Sequence, residues 1–390
     1  MSPEFDTSRR KFMEKAGFAG IAGLGALAGV ASGAERLPLA PPGRQPENLK
    51  IPKKAEKTVG WAIVGLGQLA LGEIMPAFED CHLSRPVALV SGHRDKAEQV
   101  AKVYDIESKN IYDYDNYDEL QNNSDVEVIY IVLPNSMHAE YTIRGVKAGK
   151  HVLCEKPMSA NVDEAEKMIA AAKEAKQKLM IAYRLRYEPF NKKAIELCRK
   201  KEFGEIQSIS ASNYQSVNAP NIRLSSKLAG GPLGDVGVYC LNACRYLTGE
   251  EPVEVTAMSH RPKDDPRFRE VPATVVWTMR FPSGVIANCD CSFNAGESRR
   301  FRVHGTKGFL ELDPAYSYRG LQLRTMRGSE EANVHLAQVN HFAAEMDHLS
   351  ECVLKDKEPR TPGEEGLADM RVIAAIEDAA ESGKSVKVRG

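Results

Sequence analysis

The chain has 390 residues, with 52 Lys+Arg against 53 Asp+Glu and 43% hydrophobic residues. That length suits two domains, each with its own core, plus extensions. Charges that nearly cancel leave no global field for nucleic acid or an anionic membrane, so the balance favours a small neutral partner.

In chain order, "TSRRKFMEKAG" places Arg9 and Arg10 before an Ala/Gly-rich run, residues 16–34, that ends Ser32-Gly33-Ala34. A charged region, a weakly apolar region and a small-residue end make a signal peptide over 1–34, and the paired arginines point to twin-arginine export of a folded protein. Six glycines in those nineteen residues argue against the alternative, an uncleaved transmembrane anchor. A periplasmic protein with no stable membrane anchoring after cleavage is therefore expected. Residues 35–58 are rich in proline and charge and lack a hydrophobic period, so they form an arm or linker, either a spacer or an extension that wraps a neighbouring subunit.

From Val59 the pattern changes. Short runs apolar on both faces, "VGWAIVG", "PVALVSG", "VEVIYIVLP", "KHVLCEKP" and "KLMIAYR", alternate with helix-length segments such as "VDEAEKMIAAAKEAKQ". That alternation predicts a doubly wound parallel α/β sheet over 59–184. The first run enters Gly65-Leu66-Gly67-Gln68-Leu69-Ala70, a G-x-G-x-x-A fingerprint in strand-turn-helix context. Its glycines serve the tight turn and the approach of a pyrophosphate to the backbone. A site for NAD usually ends its second strand with an acid that binds the ribose 2′-hydroxyl. Here that end reads "VSGHRDKAE", and Ser91, His93, Arg94 and Lys96 offer hydroxyl and cationic donors, which implies NADP; the bland alternative makes Arg94 and Lys96 the exposed first turn of a helix. The segment "LPNSMHAEY" puts Leu133, Pro134, Asn135 and His138 at the carboxyl end of another strand, where such sheets bind ligands.

Two further stretches carry chemistry. "HVLCEKP" ends a strand at Glu155-Lys156-Pro157, which brings an ammonium to the carboxyl edge of the sheet, beside the expected nicotinamide; alone, it could equally be a surface lysine. "LAGGPLGDVGVYCLN" leads glycines into a helix with Asp235 and Tyr239 four apart on one face. A phenol near an ammonium can exchange a proton with a sugar oxygen while hydride moves at carbon, and Asp235 could orient the hydroxyl. The competing reading of Tyr239 is a half-buried helix tyrosine bonded to backbone.

Residues 185–390 read as extended, alternating segments ("EIQSISASNYQ", "VEVTAMSH", "ATVVWTMRF", "VIANCDCSF", "RFRVHGTKGFLEL") followed by two helices, "HFAAEMDHLSECVLKDKE" and "EEGLADMRVIAAIEDAAES". They predict an α+β domain on a large, mostly antiparallel open sheet, one face covered by helices that pack back and the other free for a partner subunit. Of eight cysteines, Cys240/Cys244 and Cys289/Cys291 form close pairs, but none has zinc-site spacing, so buried thiols and no metal are expected.

Together "AIVGLG", "EKP", "YRLRYEP" and "GGPLGDVGVYCLN" resemble the glucose-fructose oxidoreductase, inositol dehydrogenase and rhizopine-catabolism (Gfo/Idh/MocA) family, from about Gly60 to the C-terminus. The resemblance implies a Rossmann domain, an open-sheet C-terminal domain and a homodimer or homotetramer formed through that sheet. It also implies Lys156, Asp235 and Tyr239 at a sugar site, Lys96, Tyr114, Asn135, Glu155 and Arg184 on the cofactor, and Tyr318 on the substrate. An exported enzyme cannot draw on cytosolic NADP, so a retained cofactor reduced by an aldose such as glucose and reoxidised by a second sugar such as fructose is expected. The alternatives are a conventional NADP-dependent aldose dehydrogenase, a dinucleotide-dependent glycosidase and a non-catalytic periplasmic binding protein.

Overall fold

A computed structural model describes residues 57–389; the expected export signal at 1–34 and nearly all of the expected arm lie outside the described residues. Strand β1 (Val59–Val64) is buried along its whole length. Ala62 and Val64 belong to one hydrophobic cluster, and Val59, Trp61 and Ile63 belong to another. A strand apolar on both faces needs cover on both, which is the condition a helix-flanked parallel sheet meets. The strands β2 (Ser84–Val90), β3 (Ile111–Tyr112), β4 (Val128–Ile131), β5 (His151–Cys154) and β6 (Leu179–Ile181) join it in the order β3-β2-β1-β4-β5-β6, all parallel. The order reverses between β1 and β4, and a sheet of this kind binds ligands in the crevice at that reversal.

Helices α1 (Arg94–Val103), α2 (His138–Lys147) and α3 (Val162–Ala175) connect these strands. After α4 (Pro189–Arg199) the chain enters β7 (Ile206–Ser216), the centre of a nine-stranded sheet. Its partners are β8 (Glu254–His260), β9 (Thr274–Arg280), β10 (Ile286–Ser292), β11 (Asn294–Gly305), β12 (Gly308–Leu312), β13 (Leu323–Arg327), β14 (Glu330–Val334) and β15 (Val386–Lys387). Only the β7–β10 pair runs parallel. The hairpin β13–β14 and the edge strand β15 extend the sheet beyond the segments read as strands; the polar sequence "LRTMRGSEEANV" carries little of the apolar alternation that marks a strand.

Helices α5 (Val238–Thr248) and α7 (Gly363–Ser382) lie on one face of this sheet. Cys289 and Cys291 are packing residues there, and the Cys244 and Cys289 thiols touch at 3.6 Å between α5 and β10. The opposite face exposes Met258 and Val276. Helix α6 (His341–Lys355) returns to the first domain, where Trp61 Nε1 donates to Ser350 Oγ at 3.0 Å and the Asp347 carboxylate accepts from the Leu83 amide and the Ser84 hydroxyl. No described helix is long and apolar enough to cross a membrane.

Candidate active site

The carboxyl ends of β1, β4 and β5 open into a cavity of about 1160 Å³ that runs from the fingerprint loop to the end of β7. Gly65 makes the turn out of β1 with φ +93°, and a Cβ there would stand 2.3 Å from the Val132 carbonyl. At Gly67 nothing lies within 4 Å of a Cβ, so backbone is open to a ligand. Gln68 and Leu69 begin the following helix, whose free amides favour phosphate. At the end of β2, Ser91, His93 and Lys96 line the cavity and Tyr114 closes over Gly92. Lys96 Nζ donates to the Leu66 carbonyl at 3.0 Å, which places the ammonium beside the fingerprint loop. These groups and the absence of an acid at that strand end fit a 2′-phosphorylated dinucleotide.

Arg94 departs from its expected role. Its guanidinium donates to the Ile111 and Ser108 carbonyls at 2.8 and 3.1 Å and pairs with Glu98, so it caps backbone beside β3 and lies outside the cavity wall. His138 is a second departure. It reaches the cavity floor, but Nδ1 and Nε2 stand 2.8 and 2.9 Å from the Pro157 and Leu133 carbonyls, which leaves no free ring nitrogen for a cofactor.

Leu133, Pro134, Asn135, Glu155 and Arg184 all line the cavity. Asn135 Nδ2 donates to the Ala229 carbonyl at 2.8 Å and so ties the first domain to a strap, residues 217–231, that crosses from the second. Glu155 accepts from the Tyr130 hydroxyl at 2.8 Å, and burial pushes its carboxyl up in spite of the neighbouring Lys156 ammonium.

Lys156, Asp235 and Tyr239 meet. Lys156 Nζ lies 2.8 Å from the Asp235 carbonyl, 3.3 Å from Asp235 Oδ1 and 4.8 Å from the Tyr239 ring centre. Burial opposes the Lys156 charge, but Tyr239, Asp235 and Glu155 outweigh it and hold the ammonium up at about 12. Asp235 Oδ2 accepts from Arg223 Nε at 2.7 Å and Gln215 Nε2 at 3.2 Å. Burial raises its pKa, yet Lys156 and Arg223 together keep it below the usual carboxylate value. Asp235 therefore stays ionised and anchors three donors. The expected regular helix opens into a π turn at Leu233–Gly237, where Gly237 has no room for a Cβ, 2.9 Å from Cys291 Sγ. Such insertions recur at functional sites.

The buried Arg184 guanidinium also approaches Tyr239, 5.1 Å from its ring and 4.6 Å from that of Tyr318. It donates to the Tyr316 and Ser317 carbonyls and to His341 Nδ1, and His341 Nε2 meets the Tyr318 carbonyl at 2.7 Å. Tyr318 lines the cavity and is partly exposed. The sequence reading missed Gln215 and Arg223. Gln215 could be found from strand alternation with Asn213, which shares its face of β7, whereas Arg223 sits in a strap with no motif.

Among the described residues no cluster of His, Cys, Asp or Glu could hold a metal. A doubly wound sheet with a phosphate loop, and a lysine and a phenol at its carboxyl edge, defines a dinucleotide-dependent oxidoreductase. The chain belongs to the Gfo/Idh/MocA oxidoreductase family: the family's NAD-binding Rossmann fold matches residues 59–183 and its C-terminal domain matches 191–311. It is 43% identical to an aldose-aldose oxidoreductase from Caulobacter crescentus crystallised with glycerol, with a TM-score of 0.83 over 85% of this chain and 100% of that one. It is 30% identical to a D-xylose 1-dehydrogenase [NADP(+)] of Haloarcula marismortui, over 85% of this chain and 94% of the relative. A 3-ketoreductase from Actinomadura kijaniata, solved with NADP, shares the fold at 24% identity and a TM-score of 0.75 over 83% of this chain and 98% of that one.

Proposed function

We propose that this NADP-dependent sugar oxidoreductase retains its dinucleotide and passes hydride between two sugars: one aldose is oxidised at C1 to its lactone, and a ketose or the open-chain form of another aldose is reduced. The observation that carries the reading is the junction of Lys156, Asp235 and Tyr239 at one end of a cavity whose other end is the fingerprint loop. The strap bond from Asn135 to Ala229, which crosses between the domains, supports retention.

When bound, NADP supplies the hydride acceptor of the first half-reaction and the donor of the second. Tyr239 takes the proton from the C1 hydroxyl as hydride leaves carbon, and returns a proton to the carbonyl oxygen of the second sugar. Lys156 donates to the same oxygen and stabilises the negative charge that develops there. Asp235, held by Arg223 and Gln215, fixes the ammonium, while Tyr318 and Arg184 set the wall against which the ring lies.

The test is spectroscopic. Protein purified and dialysed without nucleotide should carry nicotinamide absorbance that an aldose converts to the reduced band and a second sugar bleaches. The similarity to D-xylose 1-dehydrogenases that use NADP favours a second reading, a conventional dehydrogenase that exchanges NADP. Dialysed protein free of nucleotide and active only with added NADP would establish that reading instead. We also propose that residues 1–34 export the folded protein through the twin-arginine route; replacing Arg9 and Arg10 with lysine should leave it in the cytoplasm.

A further inference from the structure

We propose that His138 is a positioning residue for hydride transfer, a brace that sets the distance between the turn carrying Lys156 and the turn carrying Asn135. Strands β4 and β5 are spaced by a parallel ladder that runs to Ile131–Cys154 and closes with the Glu155 amide on the Ile131 carbonyl at 3.1 Å. Beyond that point the backbones part, one toward Leu133–Asn135 and the other toward Lys156–Pro157, and no ladder bond fixes the gap. The His138 ring fills it. Its two nitrogens stand 2.8 Å from the Pro157 carbonyl and 2.9 Å from the Leu133 carbonyl, and the side chain has no solvent exposure. The residue is the first of α2, so the ring is carried on a helix packed against β5 and α3.

Both carbonyls adjoin residues that act. Pro157 follows Lys156, whose ammonium reaches Asp235, and Leu133 lies two residues before Asn135, which clasps the strap. Burial holds the ring below its ordinary pKa, and the Lys156 ammonium adds to the effect, with the two carbonyls and Glu164 opposing it. The neutral ring has a single N–H and donates to one carbonyl; its bare nitrogen faces the other carbonyl oxygen with no proton between them, a contact the surrounding fold holds in place. The width of the ring therefore matters as much as its proton. A buried brace of this kind bears on rate because misplacing a reacting group by about 1 Å can cost roughly 100-fold.

The inference rests on the assignment of Lys156 above, and the experiment separates the two. His138→Leu and His138→Gln are compared with the unchanged protein for kcat, sugar KM, nucleotide content and the primary isotope effect with a C1-deuterated aldose. His138→Leu should lose roughly 10- to 100-fold in kcat with a larger isotope effect and sugar KM within about threefold, because only the transition state feels the misplacement. His138→Gln, whose amide can donate to either carbonyl, should recover most of the loss. In the unchanged protein, nitrogen-15 NMR should show one imidazole N–H protected from exchange. A His138→Leu protein that keeps wild-type kcat and isotope effect overturns the proposal, as does a loss of activity that tracks only the folded fraction. If neither variant folds, an imidazole N–H that exchanges freely in the unchanged protein overturns it. Failure of the underlying site assignment shows itself elsewhere, as an active Lys156→Met protein.

Discussion

At Tyr239 two cations lie close to one ring: the Lys156 ammonium at 4.8 Å and the Arg184 guanidinium at 5.1 Å. Positive charge already in place costs no reorganisation when negative charge appears on an oxygen between sugar and phenol. Tyr239→Phe removes the proton acceptor while preserving the ring, so kcat for aldose oxidation should fall by roughly 10² to 10⁴ with the fold unchanged by circular dichroism. His341 works one layer behind. Its Nδ1 accepts from Arg184, which requires the neutral ring, and burial together with the Arg184 charge lowers its pKa to about 3. An unfolded histidine titrates near its ordinary value of 6.5. Below that pH the unfolded chain takes a proton that the folded site refuses, so the stability His341 contributes is complete above 6.5 and is lost as pH falls toward 3. His341→Asn can keep the bond from Arg184 through its amide oxygen and cannot titrate. Its denaturation free energy should fall less steeply between those limits, by about 1 kcal/mol per pH unit, and parallel slopes for the two proteins would disprove the assignment.

Among the elements, the strap at residues 217–231 is the piece that joins the two domains over the cavity. Its ties include Asn135 to the Ala229 carbonyl, Arg223 to Asp235, the Ser226 amide to Glu270, and Val217 to Arg267 and the Phe293 carbonyl. Removing the first hold in Asn135→Ala forfeits about 1 kcal/mol, so nucleotide release on rapid dilution should speed up roughly five- to tenfold. An unchanged release rate would mean that the strap does not retain the cofactor. The strap also shows what the sequence could and could not disclose. The Rossmann strands were legible because each is apolar on both faces, and Lys156, Asp235 and Tyr239 because each follows a strand end or opens a helix. Arg223 was not, since only the tertiary fold brings it to Asp235, 12 residues away across an irregular loop. Arg94 and His138 misled for a related reason: sequence position put each at a strand edge, but the direction of the side chain was decided by nearby carbonyls that only the fold supplies.

On the scale of the whole molecule, the nine-stranded sheet is lopsided. One face is roofed by α5 and α7, while the other leaves Met258 and Val276 at 80% and 49% exposure. These two are direct cross-strand partners on β8 and β9, and Val276 in turn faces Asp290 on β10. Two apolar side chains exposed side by side on an uncovered sheet face suit burial against a second copy, and a C₂ partner would place the same pair against itself. We therefore propose a homodimer or homotetramer built sheet to sheet. Met258→Asp combined with Val276→Asp puts like charges at the centre of such an interface, where they cannot be solvated. The doubly substituted protein should sediment as a monomer at micromolar concentration, and it should keep its hydride-transfer rate because neither residue lines the cavity. An unchanged protein that already sediments as a monomer, or a doubly substituted one that still assembles, would place the partner surface elsewhere.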